Sequence, residues 1–175
     1  MRMKNKSDRA AVLVLLSEFT SGDHVLLTKR ADHLSSHSGE IAFPGGKWEQ
    51  GDESLRTTAL RESHEEVGLA PELVEILGEL PVSMTRYQTS VMPYVGRVAN
   101  DVKLTANKAE LDTYFWVPID FFGDDSCLRI DVFNHFGKEI RVPAYLFGEH
   151  VIWGVTARIL VDLLYQFYGI ELNAG

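Results

Sequence analysis

The chain has 175 residues, of which 45% are hydrophobic and 24% charged, and its formal net charge is −8. This composition is typical of one globular domain, and the acidic balance argues against a protein that binds a nucleic-acid backbone. A single cysteine excludes an intrachain disulfide framework, and no apolar run reaches membrane-spanning length. We therefore expect a cytoplasmic protein without a nucleic-acid or membrane partner, with a polar tail over residues 1–8 and one domain over residues 9–175.

The first third of the chain predicts a β-hairpin and a short strand. Residues 10–16 form a continuous apolar run, and residues 24–28 predict a second strand across the turn residues 20–23. Residues 40–43 predict a short strand that ends at Pro44 and the glycine pair behind it.

The clearest helix prediction covers residues 55–67. Asp52, Glu53 and Ser54 offer capping chemistry before it, and Gly68 stops it. At about 100° per residue, one flank collects Leu55, Ala59, Leu60, Ser63 and Val67. Glu62 and Glu66 fall at the edge of that flank and Glu65 lies further round, so the helix can pack on a sheet and present carboxylates beside it.

The rest of the chain predicts further strands and a final helix. Strands are expected at residues 74–80, 91–98 and 111–117, and a hairpin joins residues 127–133 to 138–146 across residues 134–137. Apolar residues at helical spacing predict one helix over residues 150–168. Strands mixed with two helices indicate an α/β fold, with a mixed sheet between helices.

The carboxylates of the first helix form the most informative cluster of the sequence. Glu62, Glu65 and Glu66 lie three and four positions apart and crowd one side of the helix. Two like charges about 5 Å apart repel by roughly 3 kcal/mol at an effective dielectric constant near 20. A multivalent cation would turn this repulsion into attraction, and carboxylate-only ligation suits Mg²⁺ or Mn²⁺ better than zinc. Arg61 lies four residues before Glu65, within reach of an ion pair that orients it.

This segment resembles a known motif. Arg61-Glu62-x-x-Glu65-Glu66-x-Gly68-Leu69, with Glu53 upstream, is similar to the Nudix box, although six residues instead of five separate Gly46 from Glu53. The preceding Leu26-Leu27-Thr28-Lys29-Arg30, followed by Leu34-x-x-His37-x-Gly39-Glu40-Ile41-Ala42-Phe43-Pro44-Gly45-Gly46-Lys47, resembles the signature of coenzyme A diphosphatases, a Nudix branch with the same extra residue. The resemblance covers most of the chain, with departures at Ser35 and at residues 87–90.

The resemblance implies a Nudix-type α/β/α sandwich and a specific reaction. The reaction is Mg²⁺- or Mn²⁺-dependent hydrolysis of coenzyme A to 4′-phosphopantetheine and adenosine 3′,5′-bisphosphate. Glu62 and Glu66 are the expected metal ligands, and Glu65 is either a third ligand or the general base. The Gly46 carbonyl is a further metal contact, and Arg61 orients the carboxylates.

Several expected roles have alternatives. Glu110 is a base, a ligand or an exposed edge acid, and Glu53 is a helix-start residue or an outer-shell ligand. Arg30 and Lys47 are phosphate contacts or ordinary surface charges. His33 and His37 are four residues apart, as two zinc ligands on a helix would be, but structural roles are favoured because Gly39 and the strand after it make a helix there doubtful. His37 matches the signature and is a substrate contact or a structural histidine. His64 is expected on the surface.

Two other functions compete with a coenzyme A diphosphatase. One is a Nudix hydrolase of ADP-ribose, a dinucleotide or a nucleoside triphosphate, and the other is a non-catalytic nucleotide-binding module. The second is disfavoured because Arg61, Glu62, Glu65 and Glu66 are all present. The sequence leaves open the form of coenzyme A, the number of metals, the identity of the base and the oligomeric state, with a homodimer as one option.

Overall fold

A mixed sheet of eight strands forms the centre of the molecule. The structure, a computed structural model, describes residues 8–172, apart from the side chain of His135. The strands are β1 Arg9–Phe19, β2 Gly22–Arg30, β3 Ile41–Ala42, β4 Gly45–Lys47, β5 Glu75–Glu79, β6 Ser83–Met84, β7 Ser90–Val98 and β8 Leu111–Pro118. Their order is β3-β2-β1-β7-β5, with β4 also pairing β1, β6 pairing β7 and β8 pairing β2.

Strand β1 lies in the middle of this sheet because its sequence is apolar on both faces. It pairs antiparallel with β2 through the predicted hairpin and parallel with β7. A strand with neighbours on both edges and cover on both faces favours a continuous apolar run over an alternating one. The apolar run at residues 10–16 is therefore a confirmed strand, extended at both ends.

Two helices cover opposite faces of the sheet. Helix α1, Leu55–Val67, shares a buried cluster with Leu13 and Leu15 of β1, whereas helix α3, Gly154–Tyr168, packs with Val14 and Leu16. Alternate residues of a strand point to opposite faces. The predicted α/β sandwich, with a mixed sheet between helices, is therefore confirmed.

The C-terminal part of the described chain adds a second sheet and corrects one prediction. After α2, Ile119–Phe122, strands β9 Leu128–His135, β10 Lys138–Phe147 and β11 His150–Ile152 form a three-stranded antiparallel sheet. The single helix predicted over residues 150–168 is wrong at its start, because β11 pairs with β10 and helix α3 covers only Gly154–Tyr168. Helical periodicity in a short apolar segment cannot exclude a strand when a partner strand lies beside it.

The other element predictions are confirmed within a few residues. The β9–β10 turn is shorter than predicted, since His135 pairs with Lys138 and only two residues intervene. The tail predicted over residues 1–8 lies outside the described residues except for Asp8. No helix within residues 8–172 combines the length and apolar character needed to cross a membrane.

Candidate functional site

The ends of α1 set the position of the carboxylates. Ser54 has extended backbone angles, and its hydroxyl accepts a hydrogen bond from the Thr57 N–H at 3.1 Å. Gly68 adopts the left-handed conformation, with φ of 68°, and donates its N–H to the His64 carbonyl. The helix therefore has the predicted bounds. Because Ser54 is the cap, the Asp52 side chain is available for another contact.

Arg61 is the centre of the site and is anchored from outside the helix. Its Nε and Nη2 atoms donate to the two carboxylate oxygens of Asp52 at 2.9 and 3.0 Å, and Nη2 also donates to the Lys47 carbonyl at 3.1 Å. This two-point geometry fixes the guanidinium plane. The hydrogen bonds from Arg61 lower the pKa of Asp52 to about 2.

The other end of the guanidinium group points to the helix carboxylates. Arg61 Nη1 lies 3.3 Å from Glu62 Oε1 and 3.3 Å from Glu65 Oε1. The predicted Arg61–Glu65 ion pair is therefore present, and Arg61 links Asp52 before the helix to two acids on it. Glu65 is about half exposed, whereas the Glu62 side chain is mostly covered.

Glu66 is the most buried acid of the cluster. It is 5% exposed, and its Oε2 accepts a hydrogen bond from the Gly45 N–H at 3.1 Å. Burial, reinforced by the charges of Glu62 and Glu110, raises the pKa of Glu66 to about 8 despite that hydrogen bond. Burial also raises the pKa of Glu62. Both carboxylates are thus held where a nearby cation would strongly favour their ionised form.

The glycine pair of β4 lies directly against these acids. A Cβ atom on Gly46 would come within 2.4 Å of the Glu62 carboxyl carbon, and one on Gly45 would come within 2.3 Å of the Ala11 carbonyl oxygen. The backbone approaches both β1 and the acidic helix so closely that a side chain has no room. The two glycines are thus required because the β4 backbone approaches the Glu62 carboxyl group and the β1 backbone closely, and not only because they form a turn.

Glu110 reaches the same region from a loop. It immediately precedes β8, and the Asn107 side-chain amide donates to its Oε2 at 3.2 Å. The Asn107 N–H donates to the Glu66 carbonyl at 2.8 Å, which ties this loop to the end of α1. Glu110 contributes to the raised pKa of both Glu62 and Glu66, so this acid from a distant part of the sequence lies near the cluster.

The predicted substrate contacts surround the cluster to different degrees. Arg30 is close enough to lower the pKa of Glu66, and its buried Nε has no hydrogen-bond partner among the described residues. His37 has a φ of 54°, and its Nδ1 lies 2.8 Å from Glu40 Oε2. Lys47 is exposed at the end of β4.

The remaining predicted polar residues are His33, Glu53 and His64. Residues 31–40 contain no helix, so His33 and His37 do not form a helical zinc pair, and His33 Nε2 lies 3.1 Å from the Ala109 carbonyl. Glu53 and His64 are exposed, the latter as predicted.

The oxygen donors of this site are of the type that binds a hard divalent cation. The acid side chains, however, do not point to one common position. Glu62 and Glu66 supply carboxylate oxygens, and the Gly46 backbone lies beside Glu62 without an intervening side chain. Within residues 8–172, no three His, Cys, Asp or Glu side chains converge on a common metal position. Glu62 and Glu65 point instead toward Arg61.

Asp52 is the residue that sequence reasoning missed. It was considered only as helix-capping chemistry, but it is 9% exposed and also accepts hydrogen bonds from the Glu49 N–H and the Thr58 hydroxyl. Asp52 and Arg61 are nine residues apart across a loop, so no helical periodicity joins them. One feature of the sequence points to this role. Ser54 can cap the helix by itself, so the acid two residues before it is not needed as a cap and can bind another group.

Fold and site together define an α/β sandwich protein in which a glycine turn abuts a helix bearing an arginine-held carboxylate cluster. The NUDIX domain model matches residues 7–129. The chain therefore belongs to the Nudix family.

Relatives in sequence cover most of the chain. It is 39% identical over 161 residues to Nudix hydrolase 22, chloroplastic, of Arabidopsis thaliana, a match that covers 87% of this chain and 53% of that protein. It is 36% identical over 169 residues to "Uncharacterized Nudix hydrolase NudL" of Enterobacter sp. strain 638, covering 93% of this chain and 83% of the relative. The chain thus spans about half the length of the plant relative.

Solved structures support the fold. A MutT/nudix family protein from Enterococcus faecalis matches 97% of this chain and 65% of its own, with a TM-score of 0.58 and 18% identity. A C. elegans Ap4A hydrolase binary complex matches 63% of this chain and 80% of its own, with a TM-score of 0.55 and 20% identity. At these identities the likeness concerns the fold alone.

Proposed function

We propose that the protein is a divalent-metal-dependent hydrolase of nucleoside diphosphate derivatives, and that its substrate is coenzyme A or a coenzyme A derivative. The products would be 4′-phosphopantetheine and adenosine 3′,5′-bisphosphate. The observation that carries the proposal is the placement of two desolvated carboxylates, Glu62 and Glu66, against the Gly45–Gly46 backbone with Glu110 nearby. Such a concentration of negative charge favours the binding of a cation and, through it, of a diphosphate.

Glu62 and Glu66 are the residues that would hold Mg²⁺ or Mn²⁺, with the Gly46 carbonyl and Glu65 as further oxygen donors. When bound, the metal would neutralise the diphosphate and make a water molecule easier to deprotonate. The hydrogen bond from Gly45 aims one Glu66 oxygen at the backbone and fixes the orientation of the carboxyl group.

Glu65 and Glu110 are the two candidates for the general base. Glu65 is half exposed and held by Arg61, whereas Glu110 is oriented by the Asn107 amide. In either case a carboxylate oxygen would accept the proton of the attacking water. Arg61 is a positioning residue, because its contacts are with carboxylates and a backbone carbonyl.

The segment from Leu26 to Lys47 supports coenzyme A over other nucleotides. It contains the sequence that resembles the coenzyme A diphosphatase signature, and it runs along β2, β3 and β4 beside the acidic cluster. Arg30 is the proposed phosphate contact: its buried Nε has no hydrogen-bond partner within residues 8–172, and its charge lowers the pKa of Glu66. His37 and Lys47 would contact the same ligand at the rim.

The decisive test is a product analysis with matched substrates. Purified protein would be incubated with coenzyme A, ADP-ribose, NADH and dGTP, each with Mg²⁺ or Mn²⁺, and the products separated by chromatography. We expect adenosine 3′,5′-bisphosphate from coenzyme A as the main product. Turnover of ADP-ribose, NADH or dGTP without cleavage of coenzyme A would contradict the substrate but leave the hydrolase; no metal-dependent turnover at all would contradict both.

Variants test the site in the same assay. Glu66→Gln should nearly abolish turnover while the fold persists, and Glu75→Gln, an exposed acid on β5, is the matched control. Comparison of Glu65→Gln with Glu110→Gln identifies the base, since loss of the general base should lower kcat by about 100-fold or more, whereas loss of the other acid should lower it much less. Full activity in Glu66→Gln would refute the metal assignment.

A further inference from the structure

Strand β9 is an open edge of the second sheet. The strand order is β11-β10-β9, and within the described part of the chain β9 pairs only with β10. The backbone N–H and C=O groups on the outer side of such a strand are a template for pairing with another chain.

The hairpin register identifies the residues whose backbone groups face outward. Ile130 lies opposite Pro143, which has no N–H, so these two residues cannot form a hydrogen-bonded pair between β9 and β10. In an antiparallel pair, hydrogen-bonded and non-hydrogen-bonded positions alternate. The N–H and C=O of Ile130 and of Val132 therefore point away from β10.

The hairpin also exposes apolar side chains that the rest of the domain does not cover. Phe133, which is 53% exposed, lies opposite Ile140, which is 43% exposed, on one face of the hairpin. Val132, which is 55% exposed, lies on the other face, because successive residues of a strand point to opposite faces. The edge strand thus carries exposed apolar side chains on both faces, which a strand that pairs with this edge would partly cover.

The sequence of the edge strand is complementary to itself. Arg129 and Asp131 flank Ile130, and they form an ion pair within the strand, with 2.7 Å between Nε and Oδ1. If a second copy pairs antiparallel with Ile130 opposite Ile130, each Arg129 lies opposite an Asp131, and Leu128 lies opposite Val132. A register centred on Asp131 would instead oppose two like charges, which destabilises cross-strand pairing.

We propose that β9 is the interface of a symmetric homodimer, in which two copies pair antiparallel about Ile130 and extend the three-stranded sheet to six strands. Charge complementarity and outward-facing backbone groups select a second copy of this chain as the occupant. The proposal is independent of the substrate, because the surface lies on the second sheet.

The test is a pair of charge reversals read by light scattering coupled to size-exclusion chromatography. The wild-type protein should have twice the 19.7 kDa mass of one chain. Arg129→Asp places two acids beside Ile130, and Asp131→Arg places two bases there, so each variant alone should be monomeric. An equimolar mixture of the two variants should regain the dimer mass, because every cross-strand pair is then of opposite charge.

The mixture separates this interface from an effect on folding within one chain. The control pair is Arg141→Asp and Glu139→Arg on β10, since Arg141 and Glu139 form the same kind of exposed pair on the neighbouring strand of the hairpin, outside the proposed interface. Both controls should remain dimeric, and circular dichroism should show every variant folded. A monomeric wild type, dimeric single reversals or a mixture that stays monomeric would each overturn the proposal.

Discussion

At the scale of single residues, Arg61 connects two kinds of acid. One, Asp52, lies outside α1 and anchors the guanidinium group; the others, Glu62 and Glu65, lie on α1 and receive its free edge. Asp52 is buried, and its low pKa keeps it ionised. If Arg61 moved away, the buried charge of Asp52 would have no partner, which is strongly destabilising. The position of two site carboxylates thus depends on an acid that has no contact with them.

Asp52→Asn should therefore lower turnover without removing any expected ligand. Loss of the anchoring charge lets Arg61 shift, and we expect a decrease of about 10–100-fold, the usual cost of losing a group that orients ligands. Steady-state kinetics with coenzyme A and Mg²⁺ measures it. Thr58→Val is the control, since it removes the hydroxyl contacts to Asp52 and to the Ser54 carbonyl but keeps the charge of Asp52, and it should cost stability but little turnover. Equal losses of turnover in both variants would contradict the anchoring role.

Glu66 should make the metal-free protein less stable as pH rises. Its pKa is raised from 4.5 to about 8 on folding, so its contribution is fully favourable below pH 4.5 and is lost as the pH rises toward 8. Glu66→Gln removes this loss. Between pH 4.5 and about 8, the free energy of unfolding of the variant should therefore rise relative to that of the wild type, by up to about 1.4 kcal/mol per pH unit.

Urea unfolding in EDTA at pH 6 and pH 8 measures this difference. Gln can still accept the Gly45 N–H, so the variant keeps the hydrogen bond and loses only the charge. A gap between the two proteins that does not widen with pH would show that the Glu66 pKa is not raised. Added Mg²⁺ should stabilise the wild type more than the variant.

At the scale of elements, β4 can lie close to α1 and to β1 because Gly45 and Gly46 have no side chains. Gly46 lies against the Glu62 carboxyl and Gly45 against the β1 backbone. Gly46 constrains the position of a side chain of α1, which can move. Gly45 constrains the distance to a strand backbone inside the sheet, which cannot move. The site and the sheet can thus be perturbed separately.

Gly46→Ala should impair activity, whereas Gly45→Ala should impair folding. A methyl group on Gly46 displaces the Glu62 carboxyl group, and a shift of about 1 Å at such a site can cost on the order of 100-fold in rate. Turnover and thermal unfolding would be measured together. Gly123→Ala is the control, because its Cβ would meet its nearest neighbour at 3.5 Å; normal turnover in Gly46→Ala would contradict the close approach.

At the scale of the whole molecule, a half-buried polar cluster joins parts of the chain that are distant in sequence. Arg97 of β7 donates to both Asp23 oxygens at 3.0 Å, and the Tyr168 hydroxyl at the end of α3 donates to Asp23 Oδ2 at 2.7 Å. Burial alone would raise the pKa of Asp23, but the hydrogen bonds from Arg97 and Tyr168 outweigh it and lower the pKa. The first hairpin, β7 and the last helix are thus tied at one point.

Tyr168→Phe should lower the free energy of unfolding by about 1.5 kcal/mol, the lower end for a hydrogen bond to a charged group. Asp23 keeps its two bonds from Arg97, so the change is a moderate loss and not the exposure of an unpaired charge. Denaturant unfolding measures it, and turnover should be unchanged. Tyr165→Phe, on the same helix but 58% exposed, should have no effect; equal stability in the two variants would contradict the role of the cluster.

The sequence by itself determined the features that depend on neighbouring residues. The bounds of α1 follow from Ser54 and Gly68, and the first hairpin follows from its turn residues. The Arg61–Glu65 pair follows from a spacing of four residues on a helix. Each of these features depends only on residues that are close in sequence. Only the tertiary structure decided that residues 150–152 form a strand, since that depends on β10. It also decided that Asp52 anchors Arg61, that Gly46 lies against Glu62, and that Glu110 lies near Glu66. These contacts join residues separated by loops, and loop paths are set by packing of the whole sheet and not by local periodicity.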